Sequence, residues 1–297
     1  MKKYLIYISI IFLFTGCFYN NKNLTFEIQN KEEQIYSTKK AKEISMEQLI
    51  DEIKEYQVIF VGDHHNNALT HTFLNKILKN LTKQQYNIHL ANEWFTPEHN
   101  LLLLDYTNNK IDSKTLKKKR QWSKFTKYDW KLVEQLYKTV RKSEGKLYGI
   151  NLTKEEREKI SLKKINEMTK SELSFFNSLD LDINSHKNFV SPYFKHCNKM
   201  PIKSSEPCED RMYRVQVAWD TYMAKQTNIL SRKVLKNKKD ILIVFAGAMH
   251  IEKKLGIPLR FSRLNNTPYI SISNYKIEKD KDILIPINKA DILYLYE

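Results

Sequence analysis

The sequence predicts an α/β fold in which helices flank a largely parallel β-sheet and a smaller helical subdomain is inserted between strands. Two observations support this prediction. Short apolar runs alternate with amphipathic segments over residues 45–151, and the alternation resumes over residues 236–297. Residues 152–235 between them are mostly helical by period and charge. Such alternation is typical of βαβ units, whose parallel strands are covered on both faces.

Residues 1–16 have the order of parts of a signal peptide: Lys2 and Lys3, the apolar run Tyr4–Phe14, then Thr15-Gly16 before Cys17. As a helix, this apolar run would reach ~16 Å, about half of the ~30 Å hydrocarbon core. A small residue before a cysteine resembles a bacterial lipobox, so we expect a lipid on Cys17. An ordinary secretory signal cut nearby is the alternative. The prediction is an exported chain anchored to a bacterial membrane, and the lack of an acidic retention signal after the cysteine favours the outer membrane, facing the periplasm.

Residues 17–44 are rich in Asn, Lys and Gln and are predicted to form a tether with edge structure. Strand-like pieces lie at Phe26–Ile28 and Gln34–Tyr36. Ser45 and Gln48 then resemble a capping box that begins a short helix. The tether therefore connects the membrane to the α/β domain.

The elements of the α/β domain follow from apolar runs and helix caps. A buried strand at Val58–Val61 leads into Gly62-Asp63-His64-His65-Asn66-Asn67 and an amphipathic helix. A second strand, over residues 88–92, leads to Glu93 and to a helix with Thr96 as its cap and Pro97 at its first position. The later predicted elements are a helix at Asp129–Lys142 and strands at Leu147–Ile150, Ile241–Ala246, Tyr269–Ser273 and Asp291–Leu295. Within the helical subdomain, Leu181–Glu206 is predicted to be irregular.

Composition bounds the function only loosely. The net charge of +16 favours anionic ligands or lipid headgroups, although lysines spread over solvated faces explain it equally well. Export and the absence of a basic stretch interleaved with aromatic residues argue against nucleic acid as a partner.

The cysteines agree with export. Apart from Cys17, only Cys197 and Cys208 occur, and they are close enough in sequence to close a short loop. We expect them to form a disulfide, since an oxidising compartment permits one. A zinc site is not expected, because no second cysteine pair or paired histidines complete four ligands.

Four polar residues follow the predicted strands: His65, Glu93, Asn151 and His250. In an open parallel sheet, ligands bind at the carboxyl ends of the strands, so these side chains are expected to line one crevice. Two of them occur in the same setting, Gly-x-x-His after an apolar strand, where we expect the glycine to permit a tight turn.

These motifs resemble the ChaN-like haem-binding lipoproteins, which are distantly related to Tiki-type metalloproteases and erythromycin esterases. The resemblance covers nearly the whole mature chain. Its motifs are Gly62-Asp63-His64-His65-Asn66-Asn67 with His71, Glu93, Asn151, Ser191-Pro192-Tyr193, the run from Gln216 to Ala224, and Gly247 to His250 followed by Leu255-Gly256-Ile257-Pro258. The run Gln-x-x-Trp-Asp-x-x-Met-Ala is the most specific. Within it, Trp219 and Met223 are expected in the core, and the partner of Asp220 is left open between the backbone, Arg214 and Lys225.

The resemblance implies a haem-binding lipoprotein of haem and iron uptake. It implies ferric haem in a pocket that a homodimer completes, with a tyrosine on the iron and a histidine and a lysine on the propionates. Tyr193 is the best match for the iron ligand, and Tyr148, Tyr213 and Tyr222 remain alternatives. Predicted cofactor-binding side chains are His65, His71, Lys154, Lys195, Glu93 and His250. An outer-membrane haem receptor is an expected partner.

Two other functions compete with haem binding. A metal-dependent hydrolase, either a peptidase or an esterase, would use His65, Glu93 and His250 to bind a divalent ion or to activate water. A lipid-tethered interaction protein would leave the same side chains solvated. Neither a Ser-His-Asp set nor a phosphate loop occurs in the sequence.

Overall fold

The computed structural model describes residues 23–26, 33–195, 197, 204–278, 283–286 and 288–297. The predicted signal peptide and Cys17 lie outside these residues. Within them, no helix combines the length and the apolar character needed to cross a membrane.

The described part of the chain alternates between strands and helices. Its strands are β1 Asn23–Phe26, β2 Glu33–Ser37, β3 Lys42–Glu43, β4 Val58–Asp63, β5 Asn87–Asn92, β6 Leu147–Gly149, β7 Asp240–Gly247, β8 Tyr269–Lys276, β9 Ile283–Pro286 and β10 Ile292–Tyr296. Its α-helices are α1 Met46–Ile53, α2 Ala68–Lys83, α3 Asn100–Thr107, α4 Ser113–Lys119, α5 Trp122–Phe125, α6 Trp130–Lys142, α7 Lys154–Ser161, α8 Lys170–Asn177, α9 Asn184–Phe194, α10 Cys208–Val234 and α11 Ile257–Ser262.

Eight of the strands form one mixed sheet in the order β3-β2-β10-β8-β4-β7-β5-β6. The six strands from β10 to β6 are parallel to one another, and β2 and β3 extend the sheet as an antiparallel edge. The predicted α/β class is therefore confirmed. The pairing of β1 with β9 in a separate two-stranded sheet was not predicted, because local sequence does not reveal which segments so far apart along the chain will pair. The strand-like piece predicted at Phe26–Ile28 lies outside the described residues after Phe26.

The central strand β4 shows why the sheet is covered on both faces. Ile59 and Val61 pack into one hydrophobic core with α1, α2 and α6, whereas Val58 and Phe60 pack into a second core with α10 and α11. Successive side chains of a strand point to opposite faces, so an unbroken apolar run serves both layers.

Several local predictions are confirmed by the helix ends. Ser45 and Gln48 form the capping box that begins α1, and Asp129 caps α6. Thr96 and Pro97 begin a short 3-10 turn that leads into α3.

The prediction of an irregular stretch from Leu181 to Glu206 was wrong in part. The helix α9 occupies Asn184–Phe194 within it, and Pro192 lies inside the helix. A proline removes one backbone hydrogen bond and usually breaks a helix. Here the helix ends two residues later, so only its last turn is affected.

Candidate functional site

Of the four side chains predicted from the strand ends, three lie together at the carboxyl edge of the sheet, and the fourth, Asn151, donates from Nδ2 to the main-chain carbonyl of Glu93. His65 follows β4, Glu93 follows β5 and His250 follows β7. Nε2 of His65 lies 3.0 Å from Oε1 of Glu93, and Nε2 of His250 lies 3.7 Å from Oε2 of the same carboxylate. Glu93 therefore stands between the two histidines.

Each of these histidines has a buried aspartate behind it. Nδ1 of His65 lies 2.6 Å from Oδ2 of Asp63, the last residue of β4. Nδ1 of His250 lies 2.5 Å from Oδ1 of Asp220 on α10. Because each Nδ1 faces a carboxylate, the ring is fixed and its Nε2 is directed at Glu93. We call the series Asp63, His65, Glu93, His250, Asp220 the carboxylate–imidazole chain.

Asp220 is completely buried and lies among several positive groups or potential donors. Beyond His250, Nη1 of Arg260 and Nε2 of His186 lie 3.7 and 3.3 Å from its Oδ2. Arg214 and Lys225, the partners considered from sequence, bond other residues, so neither alternative was right. Gln216 donates to Oδ1 of Asp220 from one turn earlier in α10, but the positive partners come from segments far along the chain, which sequence spacing does not reveal.

Within the carboxylate–imidazole chain, neighbouring opposite charges offset the cost of burying each charged group. Burial alone would lower the pKa of His65, but its hydrogen bonds to Asp63 and Glu93 raise that pKa to about 10. Burial would also lower the pKa of His250, but the nearby carboxylate of Asp220 outweighs that effect and the pKa is raised. Burial would raise the pKa of Asp220, yet His250 and His186 bring it down to about 2. His65 is therefore an imidazolium ion at neutral pH, and Asp220 favours the charged form of His250.

A protonated His65 does not favour the metal-dependent hydrolase. An imidazolium has no lone pair for a metal or for accepting a proton from water. Among the described residues, no three His, Cys, Asp or Glu side chains are arranged to hold a metal ion.

The glycines of the two Gly-x-x-His segments permit close packing. A Cβ on Gly62 would lie 3.3 Å from Cα of Ala248, and a Cβ on Gly247 would lie 3.4 Å from Nε2 of His65. None of the described glycines has a positive φ. The predicted tight-turn role was therefore wrong, and the glycines instead allow β4, β7 and the His65 ring to approach one another.

A cavity of about 550 Å³ opens beside the carboxylate–imidazole chain. His65 and His250 form part of its wall, together with Phe189 and Tyr193 from α9. The remaining wall comes from the loops after β4 and β7, from the end of β8 and from the segment before β10, and comprises Asp63, His64, Gly247, Ala248, Met249, Ser273, Asn274, Tyr275, Lys276 and Lys289. The cavity is thus shared between the sheet edge and the helical subdomain.

The other predicted site residues lie at different distances from this cavity. His71 is buried on α2 with its Nε2 3.1 Å from Oδ1 of Asp63, and its ring stacks on Trp94. Lys154 begins α7 and Lys195 follows α9. The described cavity wall does not include these three predicted residues, and it does not include Glu93 either.

Among the four tyrosines considered as iron ligands, the described cavity wall includes only Tyr193. Its side chain is 64% exposed. Tyr213 is buried and its hydroxyl donates to the carbonyl of Ile183. Tyr222 lines a separate cavity of about 70 Å³ within the helical subdomain, and Tyr148 packs against the second core.

A family model described as "Haem-binding uptake, Tiki superfamily, ChaN" matches residues 49–261. The chain belongs to this family. The match includes the whole carboxylate–imidazole chain and Tyr193. No curated protein sequence matches the chain significantly.

Three solved structures are similar to this chain, and the first of them shares its fold. The structure described as cofacial haem binding to ChaN of Campylobacter jejuni has a TM-score of 0.68 and 23% identity, and the match covers 90% of this chain and 98% of that one. The type III effector HopBA1 has a TM-score of 0.45 and 12% identity, covering 84% and 91%. A mutant erythromycin esterase EreC in its open conformation has a TM-score of 0.46 and 11% identity, covering 82% and 77%.

The C-terminal part of this ChaN-family chain supplies cavity residues that sequence reasoning missed. Lys276 ends β8, and Lys289 lies between β9 and β10, beyond the family match. Asn274 could have been found, because it follows the predicted strand Tyr269–Ser273. Lys289 has no motif or strand end to mark it. His64, whose Nδ1 contacts the hydroxyl of Tyr296, belongs to the motif Gly62–Asn67 but was not predicted as a site residue.

A disulfide joins Cys197 to Cys208. Both cysteines are buried in a cluster that includes Val190 and Phe194 of α9. The bond links the end of α9 to the start of α10, so it lies close to the helical turn that carries Tyr193.

Glu252 is a buried carboxylate near the same cavity. It is only 6% exposed, and its Oε2 lies 3.7 Å from Nζ of Lys289. Burial raises the pKa of Glu252 to about 7, and Lys289 offsets only part of that effect.

We expect Glu252→Gln to stabilise the protein at pH 8 and to change its stability little at pH 5. A carboxyl whose pKa rises from 4.5 to about 7 on folding gives its full stabilisation below pH 4.5 and loses it as the pH rises to 7. The neutral amide avoids that loss, which is at most about 3.5 kcal/mol at ~1.4 kcal/mol per pKa unit. Chemical denaturation of both proteins at the two pH values measures the difference. An equal difference at pH 5 and pH 8 would contradict the assignment.

Proposed function

We propose that this protein binds ferric haem as cargo for haem and iron uptake, with Tyr193 as the iron ligand. The observation that carries the proposal is the position of Tyr193. It is an exposed phenol on the wall of a cavity large enough for an organic ligand, in a chain of the ChaN family. A phenolate oxygen is a hard donor and therefore favours ferric over ferrous iron.

The rest of the cavity wall suits the two parts of a haem. Phe189 and Tyr275 offer aromatic surface to an apolar macrocycle, while Lys276 and Lys289 offer ammonium groups to its propionates. His64 adds a ring nitrogen beside them. We therefore assign the propionate contacts to Lys276, Lys289 and His64 in preference to Lys154, Lys195 and His71.

The homodimer belongs to the same proposal. An exposed Tyr193 leaves one side of a bound haem open to solvent, and a second copy of the chain would cover it. The ChaN structure from Campylobacter jejuni is described as binding haem cofacially, which means two haems face to face. Two copies that each bring one haem would give such an arrangement.

We also propose that the chain is exported and anchored by a lipid on Cys17, on the outer membrane and facing the periplasm, where a haem receptor would be its partner. The order of parts in residues 1–17 supports this. Intact-mass measurement of the membrane-extracted protein should give a diacylated species that begins at Cys17. An unmodified N-terminus beyond Cys17 would remove the anchor.

Spectrophotometric titration of the full chain with ferric haem tests the binding function. We expect a saturable Soret shift at one haem per chain, and sedimentation should show dimers that form with haem. An unchanged haem spectrum would contradict haem binding. Saturable binding by a monomer at every haem load would contradict the shared pocket alone.

A further inference from the structure

The carboxylate of Glu252 has a single described cation within ion-pair distance, and that cation also faces the cavity. Oε2 of Glu252 is buried and receives no hydrogen bond. Nζ of Lys289 lies 3.7 Å away, which is an ion-pair distance but longer than a hydrogen bond. Glu252 therefore depends on Lys289 for charge compensation.

Lys289 is held between Glu252 and two aromatic rings. Its ammonium lies 4.8 Å from the ring centroid of Phe189 and 5.3 Å from that of Tyr275. These cation–π contacts leave the ammonium at the cavity wall, where its side chain is 22% exposed. A small rotation of the lysine side chain would turn the charge from Glu252 towards an anion in the cavity.

We propose that Glu252 competes with the carboxylate arms of the ligand for the ammonium of Lys289. The inference rests on the proposed haem binding and deepens it, because it names a residue that limits affinity for ligand carboxylates. When the cavity holds no anion, Glu252 takes the ammonium. When a propionate binds, it draws the ammonium away and leaves a buried carboxylate with weaker compensation.

This competition has a consequence for ligand selectivity. An uncompensated buried carboxylate is unfavourable, so each propionate bound through Lys289 gains less than it would beside a free lysine. A neutral group at position 252 would remove this opposing effect. Only ligands with free carboxylates would gain from the change.

Haem and haem dimethyl ester, in which both propionates are esterified, separate this effect from general changes in the cavity. At pH 8, where Glu252 is ionised, we expect Glu252→Gln to bind haem roughly fivefold more tightly, the upper end for a partly exposed ion pair, with an unchanged affinity for the ester. Lys289→Met should weaken haem binding with no change for the ester. In the Lys289→Met background, Glu252→Gln should have no effect. The full chain in mild detergent keeps both ligands in solution.

The matched control is Glu52→Gln on the distant helix α1. It neutralises another largely buried glutamate, which pairs with Lys40. It should leave both affinities unchanged, and circular dichroism checks the fold of each variant. An acid-to-ester affinity ratio in Glu252→Gln equal to that of the native chain would overturn the competition alone. A native chain that binds neither ligand would overturn the proposed function and this inference together.

Discussion

Replacing Tyr193 with phenylalanine is expected to weaken ferric haem binding by roughly 100-fold, which corresponds to ~2.7 kcal/mol. The substitution removes the phenol oxygen and leaves the ring, so the cavity wall keeps its shape. Residual binding would come from the aromatic wall and the lysines. Titration followed at the Soret band measures the change.

Tyr222→Phe is the matched control, because Tyr222 lines the separate small cavity in the helical subdomain. It should bind haem like the native chain. Equal affinities of Tyr193→Phe and Tyr222→Phe would show that another residue binds the iron.

Replacing Asp220 with alanine is expected to lower the free energy of unfolding by about 3–5 kcal/mol, the usual cost of removing one partner from a buried ion pair. His250 and Arg260 would then be buried without their carboxylate. The loss should also release the His250 ring from its orientation towards Glu93. Urea denaturation followed by circular dichroism measures the change.

Asp210→Ala is the matched control on the same helix. Asp210 is 44% exposed and pairs with Lys187 at the surface, so its removal should change stability by no more than about 0.5 kcal/mol. If the two alanine variants were equally stable, the carboxylate–imidazole chain would have no structural importance.

The sequence predicted the central strands well because their signals are local. The apolar run before Gly62 and the one before Gly247 each form a strand buried on both faces. The helix caps predicted at Ser45 and Thr96 involve only neighbouring residues, and they were correct. The rule that ligands meet at the carboxyl ends of parallel strands brought His65, Glu93 and His250 together before any contact was known.

The residues that were missed depend on contacts between distant segments. Asp220 reaches His250 from the middle of a long helix, and its partner could not be chosen from spacing along the sequence. Lys289 enters the cavity from a short connection without a motif. The stretch Leu181–Glu206 was predicted to be irregular, but Pro192 lies near the end of α9 and affects only its last turn, so the helix persists around Tyr193.

The central claim is that the Tyr193 phenolate binds the iron of ferric haem. Resonance Raman spectra of the haem-loaded full chain, excited in the phenolate-to-iron charge-transfer band, test this bond directly. We expect tyrosinate ring modes in the native complex and their loss in Tyr193→Phe. Tyrosinate modes that persist in Tyr193→Phe, or a native haem complex without them, would contradict the claim.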